Sequence, residues 1–239
     1  MAAHGDKKFL AALLTVPGAG YETIKKLKEH FSSCEEIWRA GLSELQSAGL
    51  PQETTLRISH ARASVEPDAE MARLDKEGIT LIEKTDAAFP SLLKEISWPP
   101  QWLYVKGGAD LNSAALAVVG SRKATSYGRE ATERIVAGLS ELTDITIASG
   151  LAMGIDAQAH ISSLAHSLPT IAVVGTGLDR QSFFPPKNIR LAEEIISHGG
   201  AVISEYPLGM PAFRQNFIQR NRIISGLAKG TLIVEAAEK

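Results

Sequence analysis

The sequence has one cysteine, Cys34, among 239 residues. That excludes an internal disulfide and, with no His and Cys clustered at ligand spacing, argues against a structural zinc site. Long apolar runs are also absent: none exceeds about 5–7 residues, well short of a membrane-spanning helix. The N-terminal residues lack the basic-then-apolar order of a secretory signal. No membrane contact is expected, and a reducing, cytoplasmic setting is. Excess charge is missing too. The formal net charge is −2, so the molecule is not a general polyanion binder, and any anion site has to be local.

Several familiar chemistries lack their parts. There is no Gly-x-x-x-x-Gly-Lys-Ser/Thr, which removes a P-loop. Residues 175–180, Gly-Thr-Gly-Leu-Asp-Arg, begin like a dinucleotide fingerprint but carry Arg180 where the third glycine belongs, and the turn that should hold the fingerprint reads Gly-Ser-Arg-Lys-Ala-Thr at 120–125. No NAD or FAD is expected, and no other cofactor. A Gly-x-Ser-x-Gly elbow is absent, and His160 and His166 are six residues apart, not at the i, i+4 spacing of a helical metal pair. Asp156 and His160 do have that spacing. Asp156 reads as a first-turn acid favoured by the helix dipole, with His160 packing or hydrogen bonding beside it. No catalytic residue and no metal ligand are assigned.

What is present is an α/β pattern. Hydrophobic residues make up 44% of the chain, ample for one large domain and a small companion. Residues 1–66 read as a small helical domain, with helices at 7–14, 21–31, 34–40, 42–48 and 52–65. The turn Val16-Pro-Gly-Ala-Gly20 before a basic helix start resembles a helix-hairpin-helix; a plain glycine-rich connection accounts for it equally well. Ala48-Gly-Leu-Pro51 is a weaker echo. Residues 67–113 form a connecting segment: a polar helix at 66–77, then lead-in strands in GITLIEK and QWLYVKGG, with Pro90, Pro99 and Pro100 predicting an extended link between them. From 114 to 239 strands and helices alternate, with strands at 114–119, 144–148, 170–174, 201–204 and 231–235 and helices at 127–142, 156–167, 188–198 and 216–227. That order predicts a Rossmann-like, doubly wound, mostly parallel sheet.

The strand ends carry the functional signal. They read Gly-Ser-Arg (120–122), Ser-Gly-Leu-Ala-Met-Gly (149–154), Gly-Thr-Gly (175–177), Ser-Glu-Tyr-Pro (204–207) and Glu-Ala-Ala (235–237). In an open α/β sheet these ends form one crest where ligands bind, and small residues there let a ligand approach backbone amides at helix N-termini. Arg122 and Lys123 make the crest basic. Residues 213–227, FRQNFIQRNRIISGL, interleave Arg214, Arg220 and Arg222 with Phe213, Phe217 and Asn221, a pattern suited to single-stranded nucleic acid. The same stretch also reads as an amphipathic helix with Phe217, Ile218, Ile223, Ile224 and Leu227 inward and the arginines in solvent. Lys187 and Asn188 open another helix after Phe183-Phe184-Pro-Pro.

Taken together, PPQWLYVKGG, GSRKATSYG, SGLAMGIDAQAH, VVGTGLDRQSFFPPKN, SEYPLGMPAFRQNFIQRNRIISGL and LIVEAAEK resemble the DNA-processing protein A family, also called Smf. The likeness runs from about residue 80 to the last residue, and the helical N-terminal part is similar to that family's sterile-alpha-motif-like domain. The resemblance implies a non-catalytic protein that binds incoming single-stranded DNA during natural transformation, protects it and helps load the RecA recombinase. It also implies self-association, so a homodimer is expected. Carried over by motif, Gly120, Ser121, Arg122 and Lys123 would meet phosphates. Ser149, Gly150 and Gly154 would form the adjoining cradle, Thr176 and Gly177 would line the third turn, and Lys187 with Arg220, Asn221 and Arg222 would flank the groove.

Departures from the family pattern are Phe184 in place of a usual tyrosine and Ile218 in place of a common proline. Ending at Lys239 points to a partial chain whose last strand lacks its usual successor. Two other functions stay open on the same crest. One is a nucleotide- or ribosyl-phosphate-processing enzyme, with Asp156, Asp179, Glu205 or Glu235 as its carboxylate; the other is a nucleotide sensor.

Overall fold

A computed structural model describes residues 2–142 and 144–236, with side chains from residue 5 onward. The chain divides into two compact units, Met1–Leu81 and Ile82–Lys239.

The first unit is helical: α1 (Ala2–Leu14), α2 (Tyr21–His30), α3 (Cys34–Arg39), α4 (Leu42–Ser47), α5 (Gln52–Ala61) and α6 (Pro67–Lys76). Phe9 to Leu14 form an unbroken apolar run on α1 and all six are buried, so α1 is an interior helix with no solvent face along that stretch. Helices α3 and α6 pack on it, and Ile24, Leu27, Ile37, Leu45 and Ile58 complete the interior. The turn between α1 and α2 reverses at Gly18, whose φ of +91° suits a residue without a β-carbon. Ser33 starts α3 by accepting the Glu36 amide at 3.0 Å.

Strand β1 (Ile79–Glu83) crosses the boundary between the units. It is followed by α7 (Ser91–Lys94), β2 (Trp102–Gly107), β3 (Ala115–Val119), α8 (Ser126–Leu142), β4 (Thr146–Ser149), α9 (Ile155–Ala165), β5 (Thr170–Val174), α10 (Ile189–Ser197), β6 (Ala201–Ser204), α11 (Arg214–Leu227) and β7 (Gly230–Ile233). The link between β1 and β2 is not extended throughout, as its prolines predicted. One turn of helix, α7, follows Pro90 because Leu93 is drawn fully into the core. A short 3-10 turn over Pro186–Asn188 precedes α10.

The seven strands lie in the order β1-β2-β6-β5-β4-β3-β7. Strands β6, β5, β4, β3 and β7 run parallel, and β2 pairs antiparallel with β6, Tyr104 opposite Ser204. This is the doubly wound sheet expected from the sequence. Inner strands such as β5, Thr-Ile-Ala-Val-Val, are buried along their whole length, as parallel strands covered on both faces must be. Alternate residues of β3 face opposite cores. Ala117 joins Ile171, Val173, Ile203, Ile223, Ile224 and Leu227 on the α11 side, while Val118 joins Val136, Ile147, Ala159 and Leu168 on the side of α8 and α9. From β3 the chain winds through β4 and β5 to β6, then returns across the sheet to lay β7 on the other side of β3. The winding direction therefore reverses between β3 and β7, and a crevice opens at their carboxyl ends. At the sheet edge, Ile233 of β7 is 63% exposed.

Candidate functional site

The crevice is a cleft of about 580 Å³ lined by Gly120, Ser121 and Arg122 after β3, Asp156 of α9, Arg220 and Asn221 of α11, and Glu235 after β7. The first crest loop is held in place from β7. The Ser121 amide donates to the Glu235 carbonyl at 2.7 Å, and the Thr125 amide donates to Glu235 Oε2 at 3.0 Å. Ser121 Oγ accepts the Lys123 amide, and Thr125 Oγ1 accepts the Gly128 amide at the start of α8. With its backbone secured, the loop turns Arg122 and Lys123 outward into solvent. The Arg122 guanidinium lies 5.9 Å from the centre of the Phe217 ring, which is itself 5.6 Å from the ring of the half-exposed Phe184.

Amides that the sequence reading assigned to a ligand, those of Gly120 and Gly150, stand beside the carboxyl group of Asp156. The backbone amides of Ala152, Gly120 and Gly150 and the charge of Arg220 all act on it to favour the charged form. Burial raises the Asp156 pKa, against the pull of Arg220 and those amides. Arg220 is itself 3% exposed. It donates to the Gly150 carbonyl at 2.5 Å and to the Val173 carbonyl. Burial lowers its pKa to about 10, opposed by Asp156, so it remains a cation at neutral pH. Behind Asp156 on the same helix, His160 is fully buried. Its Nδ1 meets Thr170 Oγ1 at 2.7 Å while that hydroxyl donates to the Ile147 carbonyl. Nδ1 must therefore be the donor, leaving Nε2 without a partner. Desolvation brings the His160 pKa to about 3, with Arg220 adding to the effect, so the ring is neutral.

Several expected contacts are corrected by this packing. A β-carbon on Gly150 would stand 2.5 Å from Asp156 Oδ2 and 2.6 Å from Arg220 Nη1, so this glycine makes room for the two buried side chains. Gly154, at φ +87°, similarly admits the backbone of residues 121 and 122. Ser149 is fully buried with its hydroxyl on the Val118 carbonyl, and Thr176 is fully buried with its hydroxyl on the Gly177 carbonyl. Neither hydroxyl faces the crest surface. Gly177 is buried too, its amide donating to Met210. Arg222 is committed elsewhere, its Nη2 bridging both carboxylate oxygens of Glu205 at 2.6 and 2.7 Å. The amphipathic reading of α11 holds for Ile223, Ile224 and Leu227, which are buried, and for Arg214, which is exposed, but not for Arg220, which is buried, Arg222, nearly so, or Ile218, which is 65% exposed.

Lys187 is exposed on the turn before α10. That turn is tied to the second crest loop by Asn188 Nδ2 donating to the Leu151 carbonyl at 2.8 Å. The four carboxylates considered for an enzyme all have structural partners. Besides Asp156 and Glu235, Asp179 accepts from Ser182 Oγ and the Gly209 amide, and Glu205 is paired with Arg222. The third member of the Glu-Ala-Ala strand end, Ala237, lies outside the described residues. No helix among the described residues is long and apolar enough to cross a membrane.

An open doubly wound, mostly parallel sheet with a switch-point crevice bordered by exposed Arg122 and Lys123 and by the rings of Phe217 and Phe184 defines a Rossmann-like α/β fold. The sequence profile of DNA recombination-mediator protein A matches residues 80–239, and the chain belongs to this family. It is 36% identical over 245 residues to Protein Smf of Synechocystis sp., a match covering 99% of this chain and 60% of that protein; it thus spans well under the full length of this relative. The crystal structure of DNA processing protein A from Streptococcus pneumoniae superposes with a TM-score of 0.73 at 30% identity, covering 95% of this chain and 77% of that one. A structure from Helicobacter pylori, described as giving insight into the single-stranded DNA binding mode of its DNA processing protein A, superposes with a TM-score of 0.59 at 26% identity, covering 67% of this chain and 71% of that one.

Proposed function

We propose that this chain binds single-stranded DNA without sequence preference, along the crest of its second unit, as a non-catalytic recombination mediator that protects the strand and helps load RecA. The observation that carries the reading is the first crest loop. Its backbone is fixed by Glu235, so Arg122 is presented outward beside Phe217 and Phe184, with exposed Lys123 on the same loop. Cations on a rigid loop grip phosphates, and adjoining aromatic faces accept unstacked bases of any identity. Family membership and the ligand named for the Helicobacter pylori protein support the substrate. The family's description as recombination mediators supports the step toward a recombinase, and self-association as a homodimer belongs to the same proposal.

The test is fluorescence anisotropy of labelled oligo-dT and of the matching duplex over a salt series. The wild type should prefer the single strand and weaken with salt, because phosphate contacts release counterions. Arg122→Ala should weaken binding to all sequences alike and flatten the salt slope by about one counterion. Unchanged binding by Arg122→Ala would remove the crest from the site.

A further inference from the structure

At the other end of the same crest, Trp98 lies against Arg222. The guanidinium carbon is 4.4 Å from the ring centroid. Arg222 cannot swing away, because Nη2 is held by both oxygens of Glu205, and both side chains are nearly buried. Its Nε and Nη1 have no hydrogen-bond partner, which leaves the π face of Trp98 as what they meet. Trp98 nevertheless keeps 39% of its surface exposed. A large aromatic ring backed by a fixed cation and open to solvent is an unusual use of a tryptophan, which ordinarily packs inward.

Its position follows from the sheet. β2 runs antiparallel to β6, so its first residue, Trp102, stands beside the carboxyl end of β6, where its Nε1 donates to the Glu205 carbonyl at 3.0 Å. Trp98, four residues earlier and stacked on the partner of Glu205, is at the crest end of the sheet. From the turn after β3, which carries Arg122, to the turn after β6 are three strand spacings, about 14 Å. Only a ligand with more than one nucleotide unit can reach from one to the other.

We infer that Trp98 is a nucleobase-stacking platform, with Arg222 and Glu205 as the residues that fix it, and that a strand gripped by phosphate at Arg122 lays a base on it further along. This rests on the proposed single-stranded DNA binding and names a second point of contact for that ligand.

Trp38 and Trp102, the other two tryptophans, are buried, so Trp98 supplies the accessible fluorescence. Titration with oligo-dT should quench it, and dTMP, too short to span the crest, should not. In anisotropy, Trp98→Leu should bind oligo-dT about 5- to 100-fold more weakly, the range expected for losing one base stack. Trp98→Phe should retain most of the affinity, and circular dichroism should show both variants folded. If the wild type binds oligo-dT, Arg122→Ala weakens it and Trp98→Leu binds as tightly as wild type with no quenching, the platform is wrong while the DNA reading stands. If the wild type binds no oligonucleotide, both fall together.

Discussion

Asp156 and Arg220 approach each other across Gly150, each within 2.6 Å of the point where a β-carbon on that glycine would stand. Both side chains line the cleft and are almost fully buried, and the backbone amides of Gly120, Gly150 and Ala152 favour the charged form of the carboxyl group. Any side chain at position 150 must separate the charges or displace one of them, and a buried charge without its partner is costly.

Gly150→Ala should therefore destabilise the second unit by about 1–3 kcal/mol, the usual cost of overfilling a packed interior. The residue is not in a left-handed conformation, so the loss is steric. Urea denaturation followed by circular dichroism measures it. A midpoint equal to that of the wild type would mean that Asp156 and Arg220 have room to relax and are not held as described.

Glu235→Ala separates positioning from charge. The substitution removes a negative charge beside the proposed phosphate site, so simple electrostatics predicts tighter DNA binding. It also removes the carboxylate that accepts the Thr125 amide, which loosens the loop carrying Arg122. The expected result is weaker binding in the anisotropy assay, together with faster hydrogen exchange at the Thr125 amide. Tighter binding with unaltered exchange would overturn the role given to Glu235.

His160 makes stability depend on pH. Its pKa in the fold, about 3, lies below the ordinary value of 6.5, so the unfolded chain takes up a proton that the folded one refuses. Its contribution is complete above about pH 6.5 and is lost as pH falls toward 3. Between pH 7 and pH 5 the loss is about 2 kcal/mol. The raised pKa values of Asp156 and Glu205 act in the opposite sense, favouring the fold as these groups protonate in more acidic solution. Urea titrations at the two pH values should show the drop in the wild type and a smaller one in His160→Gln. An equal drop in both would place the sensitivity elsewhere.

The strands were the most legible part of the sequence. The bounds of β5 and β6 were read correctly because each is a short apolar run closed by a small residue, and parallel strands buried on both faces leave little room for any other reading. Helix α11 was legible as a helix and in the inward facing of Ile223, Ile224 and Leu227, but not in that of Arg220. Asn216, Arg220, Ile223, Ile224 and Leu227 form its buried stripe, and that spacing already placed Arg220 inward. The expectation that a guanidinium seeks water outweighed the periodicity. The role of Asp156 was illegible for a different reason. From sequence it is one more acid in the first turn of a helix, and the three amides that act on it come from two loops that only the closed sheet brings together. Trp98 and Arg222 are too distant in the chain for any local pattern to join them.

The crest loop and the residue that fastens it are separated by 110 positions, from Thr125 to Glu235. A ribosome adding about 5–20 residues per second therefore leaves the loop untethered for several seconds after its own residues emerge. The nascent chain can collapse around β3, β4 and β5 in that interval, yet it cannot present Arg122 in its final setting until β7 has been laid beside β3. The final setting of Arg122 thus waits, by construction, on the strand laid beside β3 more than a hundred residues later.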